Sequence, residues 1–465
     1  MLPEKKPSAP DPDYALYRPL LETGKGFYIT VAILLAIWAW GAFAYYTQVK
    51  MGLGVTYMNR PVFWGVYITN FVFFIGISHA GTLISAILRL SRAEWRRAIT
   101  RMAETITVLV LFFGVGNILI DMGRPDRIIN ILKHGRFQSP LLWDVTSIAT
   151  YLTASSIYLF VPLIPDVALL RDRVRQGSWR WWLYRALALR WTGTHRQRRV
   201  LGIIIGILAV LVIPIAVSVH TVVSFVFAMT IQPMWHSAIF GPYFVAGAIF
   251  SGIAALIIAM AVLRRVYKLH DYIKDIHFNY LGILLLVMTL LWFYFTFAEF
   301  LTTFYGNEPV HMAVFWEKLA GRFAWPFWVM VVSNFVIPFI ILCNRYTRTV
   351  VGTVVASCSV IVGMWLERFI IVVPTLANPR LPYERGVYLP TWVEWSVTAA
   401  SFAAFILLYV LFSKLFPMVS IWEIKEGREE GLAEAEERLR SYLPHAAAPA
   451  MARGSPAGAP KEGMP

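Results

Sequence analysis

The sequence predicts an all-α polytopic membrane protein of about ten transmembrane helices. Of its 465 residues, 58% are hydrophobic and only 15% are charged, whereas soluble proteins carry about 25% charged residues. Apolar runs of about 20 residues, the length that crosses the hydrocarbon core, recur along the whole chain. Lys and Arg concentrate in alternate loops, as expected for a polytopic protein that follows the positive-inside rule.

Ten candidate spans follow from hydropathy. The first begins after Lys25 and lacks the pattern of a cleaved signal peptide, so we expect it to be retained. Spans two and six share an Ala-Gly or Ser-Gly pair followed by a Leu-Arg stop, which predicts two four-helix bundles, spans 2–5 and 6–9, flanked by spans 1 and 10. The predicted spans cover residues 27–48, 62–89, 102–121, 143–163, 200–229, 238–263, 278–300, 324–343, 350–374 and 393–416.

Positive charge predicts the orientation of these spans. The loops on the side of the N-terminus hold most Lys and Arg, above all the 164–199 loop with its RDRVR and HRQRR clusters. We therefore expect both termini to lie in the cytoplasm. Residues 1–26 would form a cytoplasmic tail, 27–416 the membrane domain, and 417–465 a charged cytoplasmic helix (424–443) with a disordered tail. Topology accounts for the net charge of +15, and no nucleic-acid partner is expected.

The segment between spans three and four carries a carboxylate at each membrane entrance, Asp121 and Asp144. Such carboxylates are costly unless they are hydrated, paired or used in chemistry. Asp121 could pair with Arg124, and Asp144 could be stabilised by a helix N-terminus. We interpret the two aspartates as the rim of a functional site. Further basic residues make this loop an exception on the outer face and predict a docking partner there; they are Arg127, Lys133 and Arg136.

Other ionisable residues lie in or near the spans, most of them toward the outer face. His79 lies near the middle of span two and precedes Ala-Gly, whose small side chains permit close approach of a helix or ligand. Five more residues are candidates for a proton path, although helix-end hydration or a bond to a neighbouring helix would also explain them. They are Glu104, His220, His236, Glu299 and Glu367.

The sequence argues against a redox centre bound by this chain. The two cysteines, Cys343 and Cys358, lie in apolar runs without the spacing of an iron–sulfur or zinc site. The buried histidines are too few for two haems, but a single bis-histidine haem on His79 and His220 stays open as a weaker alternative. Quinol oxidation needs a proton acceptor for each hydroxyl and an external electron acceptor, and bases at the outer edge suit that chemistry.

Several segments resemble a known family. GISHAGTLISAILRL, WRRAITRMAETIT, MGRPDR, SPLLWDV, SVHTVVSF and PMWHSAIFGPYFVAGAIFSG are similar to NrfD/PsrC-type membrane subunits. They resemble more closely the ActC subunits of bacterial alternative complex III, a quinol-oxidising complex. The resemblance is closest over spans two to six and extends to WLERF at 365–369.

The resemblance implies a ten-helix subunit of the bacterial inner membrane without its own cofactor. It also implies a menaquinol site on the periplasmic side of the first bundle, beneath an iron–sulfur subunit that passes electrons to c-type cytochrome subunits. A second NrfD-like membrane subunit and lipids would complete its surroundings. The matching site positions are His79, Asp121 and Asp144, with Arg124 alongside; the family often has His at the position of Asp121. Proton paths proposed for the second bundle would here use His220, His236, Glu299 and Glu367.

We therefore expect a quinol-oxidising membrane subunit. His79 and Asp144 would bind the quinol ring and accept protons, Asp121 would act as a second base or relay, and Arg124 would orient the ring. An ActF-like proton-conducting or anchoring subunit without a productive quinol site is the main alternative. A secondary transporter is disfavoured because the spans have few mid-helix Gly or Pro breaks.

Overall fold

The computed structural model describes residues 13–381, 384–429 and 432, and these form helices and loops without a β-strand. The all-α fold class predicted from hydropathy is confirmed. The helices are α1 (Tyr14–Leu21), α2 (Lys25–Met51), α3 (Val66–His79), α4 (Ser85–Leu90), α5 (Thr100–Asp121), α6 (Ile129–Lys133), α7 (Pro140–Arg171), α8 (Trp179–Leu187), α9 (His195–Ala228), α10 (Phe240–Val266), α11 (Asp275–Gly306), α12 (Pro309–Leu319), α13 (Ala324–Val331), α14 (Ile337–Cys343), α15 (Val350–Ala377) and α16 (Trp392–Leu415).

Within the described part of the chain, nine helical stretches are long and apolar enough to cross a membrane. The second predicted span is not among these nine, because it is divided into two short helices. A π-helical turn at Ala80–Ile84 joins these helices, α3 and α4, and together they make the tenth span. A similar π-helical turn, Val332–Val336, joins α13 to α14 within span eight. The prediction of about ten membrane helices is thus confirmed. The charged helix predicted for 424–443 and the tail after it lie largely outside the described residues.

Two rings of four packed spans form the membrane domain. The first ring consists of α3–α4, α5, α7 and α9, and the second of α10, α11, α13–α14 and α15. The rings meet where α10 and α15 pack on α3. The first and last spans, α2 and α16, pack closely against each other, and α16 also packs on α5. At Gly41 an added Cβ would lie only 2.1 Å from Ala400 Cβ, so a glycine permits this close helix contact.

Polar side chains join the helices inside the first ring. The Thr107 hydroxyl of α5 donates to the Ser78 carbonyl oxygen of α3 over 2.6 Å, and the Ser85 hydroxyl of α4 donates to the Glu104 carboxylate over 2.6 Å. In a bilayer the hydrophobic effect does not drive helices together, because the lipid tails are as apolar as the side chains. Interhelical hydrogen bonds such as these, and close packing at small residues, stabilise the helix contacts instead.

A buried ion pair closes the membrane face at which α5 begins and α7 ends. Arg101 of α5 pairs with Asp166, and both side chains are almost fully buried. Hydropathy predicted that the loop after span four begins near residue 164, but α7 continues to Arg171 and places Asp166 inside the helix. Beyond α16, the Ser420 hydroxyl accepts from Arg101 over 3.1 Å and the Ile421 amide donates to Asp166 over 3.1 Å. The ion pair therefore joins three distant segments.

Candidate functional site

Asp144 lies near the start of α7, just after its first turn, at the membrane face where α5 ends and α7 begins, here called the aspartate face. Its side chain is 5% exposed, and its Oδ1 atom has no hydrogen-bond partner among the described residues. Ile148 and Tyr151, which follow at helical spacing on the same side of α7, are both buried in the first ring. Asp144 thus faces the interior of the bundle with an unused acceptor.

Asp121 is the last residue of α5 and is half-buried. Its Oδ1 atom is shielded from solvent and, within the described part of the chain, accepts no hydrogen bond. Buried carboxylate oxygens are normally hydrogen-bonded, so two such atoms at one face point to a donor that comes from outside the chain.

Glu394, at the start of α16, provides the contrast at the same face. This residue is fully buried. Its carboxylate accepts from the Tyr388 hydroxyl over 2.5 Å and from the backbone amides of Tyr57 and Thr391 over 2.9 Å each. Both of its oxygens accept hydrogen bonds from the protein, which indicates a structural role.

His79, the last residue of α3, lies fully buried at the centre of the first ring. Its Nε2 is 2.5 Å from the Ala216 carbonyl oxygen of α9, and its Nδ1 is 3.3 Å from the Ile75 carbonyl oxygen. The His220 ring lies directly against it, with 3.9 Å between ring centroids. Both nitrogens of His220 lack a hydrogen-bond partner among the described residues. The structure thus brings together two histidines that the sequence separates by 141 positions.

The π-helical turn after His79 explains how this centre is held. Such a turn breaks the regular backbone ladder and leaves carbonyl oxygens for other donors. The Ser78 carbonyl oxygen accepts from the Tyr151 hydroxyl over 3.0 Å as well as from Thr107. The Tyr151 ring lies 5.2 Å from that of His79. Sequence reasoning missed Tyr151, although its position seven residues after Asp144 places both on one face of α7.

Arg124 lies outside the membrane helices and is exposed. Its guanidinium pairs with Asp126 over 3.0 Å, and this hydrogen bond lowers the pKa of the Asp126 carboxyl. The other basic residues of the loop, Arg127, Lys133 and Arg136, are also exposed. The loop therefore presents a basic surface beside the aspartates, and Arg124 contacts Asp126 in this arrangement.

The second ring holds a separate polar cluster around a cavity of about 30 Å³, enough for one water molecule. Glu299 accepts from the Ser237 hydroxyl over 2.6 Å, and Glu367 accepts from the Trp292 indole over 2.8 Å. Lys318 of α12 also lines the cavity, and burial lowers its pKa to about 8. Two of the candidate proton-path residues, Glu299 and Glu367, are thus neighbours of one cavity.

Arg368 extends from this cluster toward the first ring. Its guanidinium lies 3.2 Å from Glu367 and 4.7 Å from the centre of the Phe244 ring of α10. Glu367 and Arg368 each contact another helix, Glu367 through Trp292 of α11 and Arg368 through Phe244 of α10. The two side chains also contact each other.

The remaining candidates lie apart from these centres. Glu104 is buried near the opposite face, where Ser85 donates to it. His236 is exposed in the loop before α10. The described residues contain no group of three or more His, Cys, Asp or Glu side chains arranged to hold a metal ion.

Comparison with known proteins shows matches over most of the chain. Residues 54–379 match the family model described as polysulphide reductase, NrfD. An Hdr-like menaquinol oxidoreductase integral membrane subunit of Archaeoglobus fulgidus is 25% identical over 87% of this chain and 96% of its own length. A menaquinone reductase integral membrane subunit of Nitratidesulfovibrio vulgaris is 23% identical over 84% of this chain and 92% of its own. A Halobacterium salinarum protein, provisionally named as a membrane subunit of dimethyl sulfoxide reductase, is 29% identical over 55% of this chain and 56% of its own.

Proposed function

We propose, since the chain belongs to the polysulphide reductase NrfD family, that it is the quinol-binding and quinol-oxidising membrane subunit of a multi-subunit oxidoreductase. The observation that carries this proposal is the pair of shielded Oδ1 atoms on Asp144 and Asp121, which have no hydrogen-bond partner among the described residues. A quinol suits this pair because it combines an apolar body, which dissolves in the membrane, with two hydroxyl groups that can donate to the two carboxylates. The more specific assignment, an ActC-type subunit of alternative complex III, is supported by the sequence segments in spans two to six.

The chemistry needs two proton acceptors and an exit for electrons. Oxidation of one quinol to the quinone releases two protons and two electrons. We assign Asp144 as the acceptor for one hydroxyl proton and Asp121 as the second base or relay, with both protons released at the aspartate face. His79, backed by His220, would bind the ring from the interior of the bundle. Arg124 would orient the ring after release from Asp126.

The electrons would pass to a partner subunit, because their transfer within this chain alone would require a redox group bound to it. We propose an iron–sulfur subunit docked on the exposed basic loop, which would pass electrons to c-type cytochromes. The names of two relatives, a menaquinol oxidoreductase and a menaquinone reductase subunit, support menaquinol as the substrate. The proposed setting is the bacterial inner membrane, with both termini in the cytoplasm and a second NrfD-like subunit beside this one.

Asp144→Asn tests the assignment in the purified complex. The amide keeps the volume of the carboxylate but is a far weaker base, so we expect kcat for menaquinol oxidation to fall by at least 100-fold while the complex still assembles with all of its subunits. Asp172→Asn is the matched control, since Asp172 is 65% exposed in its pair with Arg171 and lies at the opposite end of α7. Wild-type turnover of Asp144→Asn would overturn the role of this residue.

A second candidate function is a proton-conducting or anchoring subunit without a productive quinol site. The cavity shared by Glu299, Glu367 and Lys318 favours it, because buried ionisable groups around a water-sized space suit proton transfer. Glu367→Gln separates the two ideas. If quinol turnover persists in Asp144→Asn and proton release is lost only in Glu367→Gln, the second function replaces the first.

A further inference from the structure

A groove of about 320 Å³ opens between α2, α5 and α16, outside the two rings. Its size falls in the range of small-molecule sites. Its walls are mainly apolar and aromatic, with Trp38 of α2 and Phe112 of α5 each about half exposed at its mouth. Since α2 is mostly unburied along its apolar length, the mouth faces the hydrocarbon of the membrane.

Two polar side chains of the groove, Asn117 and Ser401, already have partners. The Asn117 amide donates to the Phe113 carbonyl oxygen over 2.8 Å, and the Ser401 hydroxyl donates to the Val397 carbonyl oxygen over 3.0 Å. A ligand that lies against these two side chains therefore needs no hydrogen-bonding groups of its own. An apolar chain satisfies that condition.

One end of the groove leads to the aspartate face. Ile120 lines the groove, and the next residue on α5 is Asp121, whose Oδ1 atom is shielded and unpartnered among the described residues. A molecule that lies in the groove with its polar end at Asp121 must combine an apolar chain with a hydrogen-bond donor.

Charge decides between the two membrane molecules of that shape. A phospholipid would bring a phosphate toward the carboxylates of Asp121 and Glu394, which lie within electrostatic reach of each other, and like charges repel at low dielectric. A quinol brings neutral hydroxyl donors. We infer that the groove binds the isoprenoid tail of the quinol whose ring reaches Asp121, an inference that rests on the proposed function.

Gly116→Leu tests the groove directly. Gly116 lines it, and an added Cβ would meet no atom within 4 Å, so a larger side chain at this position begins in open space. The matched control is Gly202→Leu on the exposed side of α9, where an added Cβ also meets no atom within 4 Å. Both changes replace a helical glycine, so their effects on helix propensity are equal.

The measurement compares two quinols with the purified complex: menaquinol with its long isoprenoid tail, and menadiol, which has the same ring without a tail. We expect Gly116→Leu to raise KM for the long-tailed quinol at least tenfold and to leave kcat/KM for menadiol within twofold of wild type. Gly202→Leu should change neither value.

Three outcomes would count against the inference. Equal loss with both quinols would mean that the leucine disturbs the ring site or the fold. Unchanged kinetics with both quinols would mean that the groove binds another occupant. Loss of a bound phospholipid or of a partner helix from the complex, with unchanged kinetics, would lead to the same conclusion. Wild-type protein that oxidises neither quinol would overturn the proposed function itself, and so would be distinguishable from the other two results.

Discussion

Two carboxylates at one membrane face differ in what surrounds them. Glu394 accepts three hydrogen bonds from the protein, including two backbone amides, whereas Asp144 keeps an unpartnered oxygen at 5% exposure among the described residues. A buried acceptor without a donor costs free energy, and proteins retain such groups mainly where a ligand supplies the donor. Both residues are acidic, so residue type does not distinguish the structural carboxylate from the one at the candidate site. Their hydrogen-bond partners do.

Glu394→Gln tests this distinction. The amide cannot accept all three bonds with the strength of a carboxylate, and its NH₂ group would face other donors, so we expect a loss of about 1.5–3 kcal/mol of stability. Quinol oxidation should remain close to wild type in the folded fraction. Thermal unfolding of the complex measures the loss, with the exposed Glu384→Gln as control. A variant as stable as wild type would show that Glu394 is not a structural anchor.

The π-helical turn at Ala80–Ile84 is the element that determines the geometry of the first ring. It follows His79 directly, frees the Ser78 carbonyl oxygen for Tyr151 and Thr107, and lets α3–α4 approach α5. At Gly81 an added Cβ would lie 1.9 Å from the Ala103 carbonyl oxygen. Because that atom belongs to the backbone of a packed helix, it cannot move aside as a side chain would.

Gly81→Ala is therefore expected to separate α4 from α5. Overpacking of this kind costs about 1–3 kcal/mol or more, and the displaced His79 should also lower quinol affinity. Thermal unfolding and KM for menaquinol measure the two effects. Gly76→Ala on α3 is the control, since its nearest contact would be Ser251 Oγ at 3.4 Å. Equal behaviour of the two variants would contradict the role assigned to the turn.

At the scale of the whole molecule, the two faces of the membrane domain have different jobs. The aspartate face carries Asp121 and Asp144, whose Oδ1 atoms have no partner in the described part of the chain, together with the basic loop and one end of the groove. The opposite face is closed by bonds between distant segments: Arg101 and Asp166 join α5, α7 and the chain after α16, and the Lys414 ammonium of α16 donates to the Pro19 carbonyl oxygen of α1 over 2.7 Å.

Asp166→Asn tests the closure of that face. Removal of one partner leaves Arg101 buried with an uncompensated charge, so we expect a loss of about 3–5 kcal/mol. Asp172→Asn is the control, because Asp172 is 65% exposed in its pair with Arg171 and exposed pairs contribute about 0–1 kcal/mol. Detergent-resistant assembly and thermal unfolding measure the difference. Similar stability of both variants would show that the closure lies elsewhere.

Hydropathy predicted most of the fold because insertion into hydrocarbon depends on local composition, which a single stretch of sequence carries. Span two was found in this way, but its π-helical turn was not, since the turn depends on donors from Thr107 and Tyr151 on other helices. Asp166 was assigned to a loop for the same reason: its partner Arg101 is 65 positions away. The residues named for the quinol site stay predictions, as does the orientation in the membrane.

The sequence by itself determined the class of protein, the number of spans and the family, because length, hydropathy and local motifs are properties of contiguous residues. Only the tertiary structure decided which polar groups have partners. Among the described residues, it places the His79 ring against that of His220 and supplies hydrogen-bond donors to Glu394. It leaves the Oδ1 atoms of Asp121 and Asp144 without a donor from these residues and opens the groove beside α5. The physical reason is that the free-energy cost of burying a polar atom depends on hydrogen-bond donors from helices that are remote in sequence. A local sequence pattern does not show which of these donors will lie nearby.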